Sequence, residues 1–179
     1  ELRVVDNSQT KQKRQGRFVR IDLPGQGKMV HVAEVQIFSG GKNVAREGKA
    51  TQSSTDFGGP AARAIDGNTD GIYANNSVTH TAISTNPWLE IDLAELRPID
   101  QITIWNRTDN KLQSRLNGFI LSILDENRRV VWKETYPTAP QKDLVADLSG
   151  ALVAIISDAS ANHEQPGDGK TAPADGWLA

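Results

Sequence analysis

The sequence contains no cysteine among its 179 residues, which excludes disulfide scaffolds, thiolate zinc sites and cysteine nucleophiles. It also lacks any apolar run near the ~20 residues that a membrane-spanning helix needs, so no membrane insertion is expected. Neither sign of charge is in large excess, because the formal net charge is −2. This balance argues against a nucleic-acid partner and is typical of an ordinary globular domain.

Helical periodicity is nearly absent, and the one helix-like patch is Ala61–Ile65. Apolar and polar residues instead alternate in short segments, which is typical of strands with one buried face. The predicted strands are 17–23, 30–38, 88–93, 99–105, 118–124, 129–133 and 151–156. They predict an all-β sandwich or barrel. The flanks are polar, so we interpret residues 1–15 as a leader, 16–156 as the domain, and 157–179 as a linker or the start of a further module.

Catalytic patterns are also missing. The chain has three histidines and no nucleophile–base motif, which leaves little basis for a hydrolytic triad. A glycosidase needs two carboxylates facing each other across a cleft, and no motif marks such a pair. We therefore expect no enzymatic activity and no catalytic residues. His31 and His163 have no neighbouring constellation and are interpreted as incidental.

The sharpest local motif that is present is a loop rich in oxygen side chains, Asp66-Gly67-Asn68-Thr69-Asp70-Gly71. Oxygen ligands at every second position, with a glycine for the bend, suit a hard cation such as Ca²⁺. An EF-hand is disfavoured, because its twelfth position would be Ser77 rather than Glu and no helices flank the loop. Two interpretations remain open: a calcium site of another architecture, or a turn built by Asx residues without an ion.

Five segments between residues 43 and 109 follow one another in the order NVAREGKATQSS (43–54), AIDGNTDG (64–71), SVTHT (77–81), NPWLEIDL (86–93) and WNRTD (105–109). In sequence and in order they resemble segments of the fucose-binding (F-type) lectins of the discoidin-like, coagulation-factor type C group. The resemblance implies a discoidin-like jelly-roll β-sandwich, of the galactose-binding-domain-like type, with its binding loops at one end.

The chain departs from these lectins in the order of its segments. Residues 16–38 resemble the strands that normally come last in the family, yet here they come first. The chain is either circularly permuted, or residues 16–38 close a preceding copy in a tandem array. Permutation is tolerable because domain termini often lie close together. We expect residues 16–38 to complete the sheet of residues 39–156.

The resemblance also implies a structural Ca²⁺ ion and its ligands. Side-chain oxygens would come from Asp66 and Ser77, and backbone carbonyls from Arg63 and Asn68. Glu34, with the Ala33 carbonyl, would arrive from the strand that is out of order. Such an ion would order a long loop whose apolar content is too low to order it otherwise.

The sugar-binding residues implied by the resemblance are His80, Arg107, Asp109 and Arg115. Assigning Arg115 requires a one-residue insertion, and Lys111 is the alternative. An arginine fork can contact two neighbouring hydroxyls, a histidine can contact an axial hydroxyl, and Asp109 would hold Arg107 in place. Tyr73 could cover the apolar face of the sugar. A cysteine pair found in some members is replaced here by Asn110 and Lys111.

The expected function is that of a non-catalytic, calcium-dependent carbohydrate-binding module for fucose-like or galacto-configured sugars. An extracytoplasmic or secreted location and tandem copies in the parent protein would suit it. The alternative is a structural or protein-interaction domain with a degenerate sugar site, which the altered loop before Arg115 favours.

Overall fold

The structure is a computed structural model that describes residues 14–149, folded as two packed antiparallel sheets. The first sheet has the strand order β4-β5-β1-β7-β8 and the second has the order β3-β2-β6-β9. The strands are β1 (Gln15–Asp22), β2 (Val32–Ser39), β3 (Lys42–Asn43), β4 (Lys49–Gln52), β5 (Trp88–Pro98), β6 (Gln101–Asn106), β7 (Phe119–Leu124), β8 (Val130–Tyr136) and β9 (Asp143–Asp147). The predicted all-β, discoidin-like sandwich is confirmed.

The core lies between the two sheets and is built from alternating apolar residues. Val19 and Ile21 of β1 are fully buried, as are Ile102 and Ile104 of β6. Side chains of a strand alternate between its two faces, so each strand gives every second residue to this layer. Arg20, between Val19 and Ile21, faces away from the core and is half-buried.

The N-terminal strands occupy interior positions in both sheets. β1 pairs with β5 and β7 on its two sides, and Ile21 lies opposite both Leu89 and Leu121. β2 pairs with β6 along most of its length and with β3 at its end. Residues 15–39 therefore contribute one interior strand to each sheet of the sandwich.

All strands predicted within residues 14–149 are present, with bounds shifted by a few residues. The sequence did not mark β3, β4 and β9, which are short and carry several polar side chains. The helix-like patch Ala61–Ile65 forms a 3₁₀ helix. The other 3₁₀ turns are Ala45–Glu47, Tyr73–Asn75, Asp109–Lys111 and Gln113–Leu116.

Several expectations fall beyond the described residues. They are most of the predicted leader, the strand at 151–156, the segment 157–179 and His163. The predicted domain boundaries stay a prediction. Of the helices in residues 14–149, none has the length and apolar character to cross a bilayer.

Candidate functional site

Loops from distant parts of the chain surround one pocket of about 320 Å³, which we call the His80 pocket. Four predicted sugar-binding residues line it: Tyr73, His80, Arg107 and Arg115. Asp109 lies directly behind Arg107 and bonds to it. Lys111, the alternative to Arg115, is exposed and is not among the lining residues. The other lining residues are Met29, Phe57, Ile83 and Leu112.

His80 is held by hydrogen bonds from the two threonines that flank it. The backbone N–H of Thr79 donates to Val32 O, and the Thr79 hydroxyl accepts from Val32 N. Thr81 forms the same pair of hydrogen bonds with Val30. On the other side, the N–H of His80 donates to Gly59 O at 2.8 Å. A Cβ at Gly59 would approach His80 N to 2.6 Å, so glycine is needed for this contact.

The ring of His80 is buried and has a defined tautomer. Nδ1 lies 2.7 Å from Thr81 O. A carbonyl oxygen can only accept, so Nδ1 carries the proton of the neutral ring and Nε2 is left as an acceptor. Burial lowers the pKa of His80, and the charges of Arg107 and Arg115 lower it further, against the opposing effect of the Thr81 hydrogen bond. The ring is therefore neutral at physiological pH.

Arg107 is a buried cation with a fixed orientation. It is 6% exposed, and its guanidinium forms a two-pronged ion pair with Asp109, with Nη2 donating to Oδ2 at 3.1 Å. The hydrogen bond from Arg107 lowers the pKa of Asp109, so the carboxylate stays ionised. The guanidinium also lies 4.7 Å from the centre of the Tyr73 ring, a cation–π distance. Arg107, Asp109 and Tyr73 thus form one rigid wall.

Arg115 also lines the pocket, lies on the 3₁₀ turn Gln113–Leu116, and is exposed. Its Nη1 is 3.4 Å from the sulfur of Met29. A thioether is a weak acceptor, so this contact orients the guanidinium without satisfying its donors. The pocket therefore has one firmly paired arginine and one that remains available to a ligand.

Several pocket residues were not foreseen from the sequence. Phe57, which is 67% exposed, contacts His80 edge-on at 4.9 Å between ring centres. The hydroxyl of Tyr73 donates to Phe57 O, which joins the two loops. Ile83 comes from a segment that the resemblance does not mark, and Met29 comes from the turn between β1 and β2, where the resemblance assigns no sugar-binding residue. Only an exposed aromatic in a Gly-rich loop could have drawn attention to Phe57.

His31 is not incidental, contrary to the expectation. The hydrogen bonds of Val30 and Val32 with Thr81 and Thr79 set His31 opposite His80, and the two rings are 5.7 Å apart. His31 is 1% exposed, and neither ring nitrogen has a hydrogen-bond partner. Burial lowers the pKa of His31 to about 3, with Arg107 adding to the effect. A neutral ring thus packs behind His80.

The predicted metal loop is a chain of Asx turns. Asp66 Oδ1 accepts from Asn68 N at 2.8 Å, Asn68 Oδ1 from Asp70 N at 3.0 Å, and Asp70 Oδ1 from Ile72 N at 2.9 Å. The hydroxyl of Ser77 donates to Ile72 O at 2.9 Å. These bonds are what an Asx-rich turn forms by itself, so they do not distinguish the two interpretations.

Glu34 does meet this loop. Its Oε2 accepts from Gly67 N at 3.2 Å, whereas its Oε1 is buried with no hydrogen-bond partner. Burial raises the pKa of Glu34 to about 8, and the nearby charge of Asp66 adds to it, although the Gly67 hydrogen bond and Arg46 act in the opposite direction. A buried carboxylate with an unpartnered oxygen beside a second carboxylate fits a cation.

The other predicted ligands are arranged around the same turn. Arg63 directs its guanidinium to Val78 O and Asn76, so only its backbone could serve an ion. Ala33 is buried next to Glu34 on β2. Within residues 14–149, no group of three or more His, Cys, Asp or Glu side chains could hold a metal. A cation here would therefore depend on backbone carbonyls, as the resemblance implies.

The metal loop and the His80 pocket are continuous through Gly71 and Tyr73. Thr108 N donates to Gly71 O at 2.9 Å, and a Cβ at Gly71 would lie 2.6 Å from the Thr108 hydroxyl. Tyr73 N donates to Asp109 Oδ2 at 3.3 Å. The end of the loop thus sets the position of the Tyr73 ring against Arg107.

Comparison with known proteins indicates the class of domain to which the chain belongs. A family described as NedA-like, galactose-binding domain, of the F5/F8 type C group, matches residues 63–151. The solved structure of a Streptococcus pneumoniae fucose binding module, SpX-3, is 37% identical with a TM-score of 0.58, over 62% of this chain and 80% of that one. The lectin domain of lectinolysin, complexed with Lewis B antigen, is 34% identical with a TM-score of 0.58, over 59% of this chain and 76% of that one.

Curated relatives narrow the family. Fucolectin-1 of Anguilla japonica is 45% identical over 73 residues, and fucolectin of Anguilla anguilla is 44% identical over 73 residues. These matches cover 38% of this chain and 41% and 46% of the two fucolectins, so the chain spans less than half the length of the curated relatives. The chain belongs to the F-type lectin family of discoidin-like domains. Its relatives are lectins and fucose-binding modules, which confirms the expectation of a non-catalytic module.

Proposed function

We propose that this chain is a calcium-stabilised module that binds fucose or another sugar with an axial hydroxyl. The observation that carries the proposal is the convergence of His80, Arg107 and Arg115 on one pocket beside Tyr73. Fucolectins and fucose-binding modules among its relatives support the same ligand. A single shallow site of this kind binds at about sub-millimolar affinity, on the order of −4 to −6 kcal/mol.

Each pocket residue would contact a different part of the sugar. Nε2 of His80 accepts a hydrogen bond from an axial hydroxyl, because Nδ1 is already bonded to Thr81 O. The guanidinium groups of Arg107 and Arg115 donate to neighbouring hydroxyls or to the ring oxygen. The face of Tyr73 that is not covered by Arg107 packs against the apolar side of the ring. No residue has to move a proton, so the pocket binds without chemistry.

Calcium would be held by Glu34 and Asp66, with Ser77 and the carbonyls of Ala33, Arg63 and Asn68. A bound ion would supply positive charge that favours the ionised form of the buried Glu34 carboxylate, and it would cross-link β2 to the loop. The fixed loop then holds Tyr73 and Gly71 against the Arg107 wall. Sugar binding should accordingly depend on calcium through the shape of the pocket, with no contact between ion and sugar.

The test is calorimetric titration of fucose into the wild-type chain and Arg107→Ala, both with calcium present. Loss of a charged donor is expected to reduce affinity at least about tenfold, because hydrogen bonds to charged groups contribute about 1.5–3 kcal/mol. Arg129→Ala, at an exposed arginine in the turn before β8, is the matched control and should bind as wild type. Undiminished binding by Arg107→Ala would show that the pocket assignment is wrong.

A folded chain that responds to calcium but binds no sugar would instead support the structural alternative. Tandem copies would suit a weak single site, because linked copies raise the effective affinity. We also propose an extracytoplasmic location. Both are part of the proposal.

A further inference from the structure

A second depression of about 300 Å³ adjoins the His80 pocket; we call it the Lys28 groove. Its lining residues are Gly27, Lys28, Met29, Ser114 and Arg115. Met29 and Arg115 also line the His80 pocket, so the two depressions share a wall. The groove is therefore an adjoining concave surface that a second sugar or a substituent could reach from the Met29 and Arg115 side of the pocket.

The groove carries positive charge that the described protein leaves unpaired. Arg17, Arg20, Arg107 and Arg128 each form an ion pair with a carboxylate. Within residues 14–149, Lys28 and Arg115 form none, and no carboxylate lines either depression. Two cations of this kind in a concave site create an unopposed positive potential, which attracts anions.

The position of Lys28 is fixed by its backbone. Lys28 N donates to Ser84 O at 3.0 Å, and Ser84 N donates to Lys28 O at 2.9 Å. This isolated bridge ties the turn between β1 and β2 to the loop before β5. The half-buried Lys28 side chain therefore stays beside the groove, and Ser114 adds a hydroxyl that can donate or accept.

We propose that the Lys28 groove is a subsite for an anionic group, a sulfate ester or a carboxylate, on the sugar next to the one in the His80 pocket. Lys28 and Arg115 flank the anion, and Ser114 donates to it. The chemistry distinguishes this subsite from the pocket, which recognises hydroxyls and an apolar face. The proposal rests on the proposed function for the first sugar, and it narrows the ligand to acidic fucosylated glycans.

The test compares fucosylated trisaccharides that differ only in an acidic group. Calorimetry would measure the unsubstituted parent, a set carrying one sulfate ester at different positions of the galactose, and a sialylated form. At least one sulfated or sialylated form should bind about two- to fivefold tighter than the parent, as expected for a partly exposed ion pair. The gain should shrink as salt rises from about 50 mM to about 500 mM.

Substitution of Lys28 tests whether the tighter binding of the acidic glycan depends on the groove. Lys28→Gln should abolish the advantage of the acidic glycan and leave affinity for the parent within about twofold. Lys133→Gln, at an exposed lysine on β8, should retain the advantage. The proposal is overturned if no acidic glycan outbinds its parent, or if Lys28→Gln retains the whole gain.

A second readout separates failure of this subsite from failure of the pocket. Titration of galactose sulfate, without fucose, should shift the backbone amide resonances of Gly27, Lys28 and Ser114 in the wild-type chain and not in Lys28→Gln. These shifts do not require fucose binding. Their absence counts against the subsite even if fucose binds, and their presence supports it even if fucose does not.

Discussion

The ring of His80 offers one free nitrogen to the pocket, because the other donates to Thr81 O. The charged and titratable groups facing it include Arg107, Arg115, Asp56, the phenol of Tyr73 and the neutral His31. A proton on Nε2 would replace the acceptor with a donor and add a third positive charge beside the two arginines. If His80 binds the sugar as proposed, the neutral state of its ring is the state expected to bind.

Fucose affinity should be constant through neutral pH and fall once the pH drops below the usual imidazole range, since burial lowers the pKa of His80. In the unfolded chain His80 takes up its proton at about pH 6.5, whereas in the folded chain it does so only at a lower pH. The free energy of unfolding should therefore also decrease as the pH falls from about 6.5 to the lowered pKa of the folded state. Calorimetry from about pH 8 to about pH 4 measures the affinity. A decline that starts above pH 7 would contradict the neutral-acceptor role.

His31 supports His80 as a packed ring. His31→Ala should leave a cavity, lower the free energy of unfolding by about 3 kcal/mol and weaken fucose binding. His31→Phe keeps a ring and removes two unpartnered nitrogens, so stability should be equal or higher. Nitrogen-detected NMR of the His80 imidazole should report the Nδ1–H tautomer in wild type and His31→Phe, and a mixture in His31→Ala. An unchanged His80 signal in His31→Ala would exclude this supporting role.

At the scale of elements, a hydrogen bond joins the metal loop to β2. Glu34 reaches Gly67 from β2, and its second oxygen has no partner. A cation between Glu34 and Asp66 would join a strand of the sandwich to a loop that carries little apolar surface. An ion that binds only the folded chain raises the free energy of unfolding. The size of this increase depends on the ratio of the ion concentration to its dissociation constant.

Saturating calcium should raise the melting temperature of the wild-type chain, and a chelator should reverse the rise. A calcium concentration about 100-fold above the dissociation constant corresponds to about 2.7 kcal/mol. Asp66→Ala and Glu34→Gln should both lose this response. Asp125→Ala, in the turn before β8, is a control that should keep it. Equal melting curves with calcium and with chelator would leave the loop as an Asx turn.

The contact between Gly71 and the β6 end is the other element-level link. A Cβ there would meet the Thr108 hydroxyl at 2.6 Å and Asn106 O at 2.7 Å. Gly71→Ala should push the loop outward, move Tyr73 away from Arg107 and weaken sugar binding. Calorimetry and a melting curve measure both effects. Ala74→Ser, at an exposed site three residues on, should change neither.

At the scale of the whole molecule, the first two strands are interior members of the two sheets. Without residues 14–39, β5 and β7 would each lose a partner and the core would lose Val19, Ile21, Val35 and Ile37. Glu34, Met29 and His31 would be lost with them. The sandwich and the binding loops therefore depend on the same segment.

Residues 40–149 alone should not fold cooperatively, and addition of a peptide spanning residues 14–39 should restore strand circular dichroism and a cooperative melt. A peptide with Ile21→Asp, which places a charge in the core, should fail to restore them. A cooperative melt of residues 40–149 alone would mean that the first two strands are dispensable for folding.

The sequence by itself determined the strand pattern, because period-two alternation such as that of Val19 and Ile21 is local information. It also determined the residue types of the candidate site, because the order of the segments around His80, Arg107 and Asp66 resembles a known family. The strand β9 was not predictable because its partner β6 lies far earlier in the chain, and β3 has only two residues, which is too short to show an alternation.

Only the tertiary structure decided which residues meet. It brought Phe57 and Met29 into the His80 pocket, set His31 behind His80, and favoured Arg115 over Lys111 at the pocket wall. It also formed the Lys28 groove beside that wall. These contacts join residues that are tens of positions apart in the chain. Their separation in space is set by how the strands pair and how the loops pack, which local sequence does not specify. The physical reason is that alternation records which face is buried, whereas a pocket depends on how separate loops approach one another.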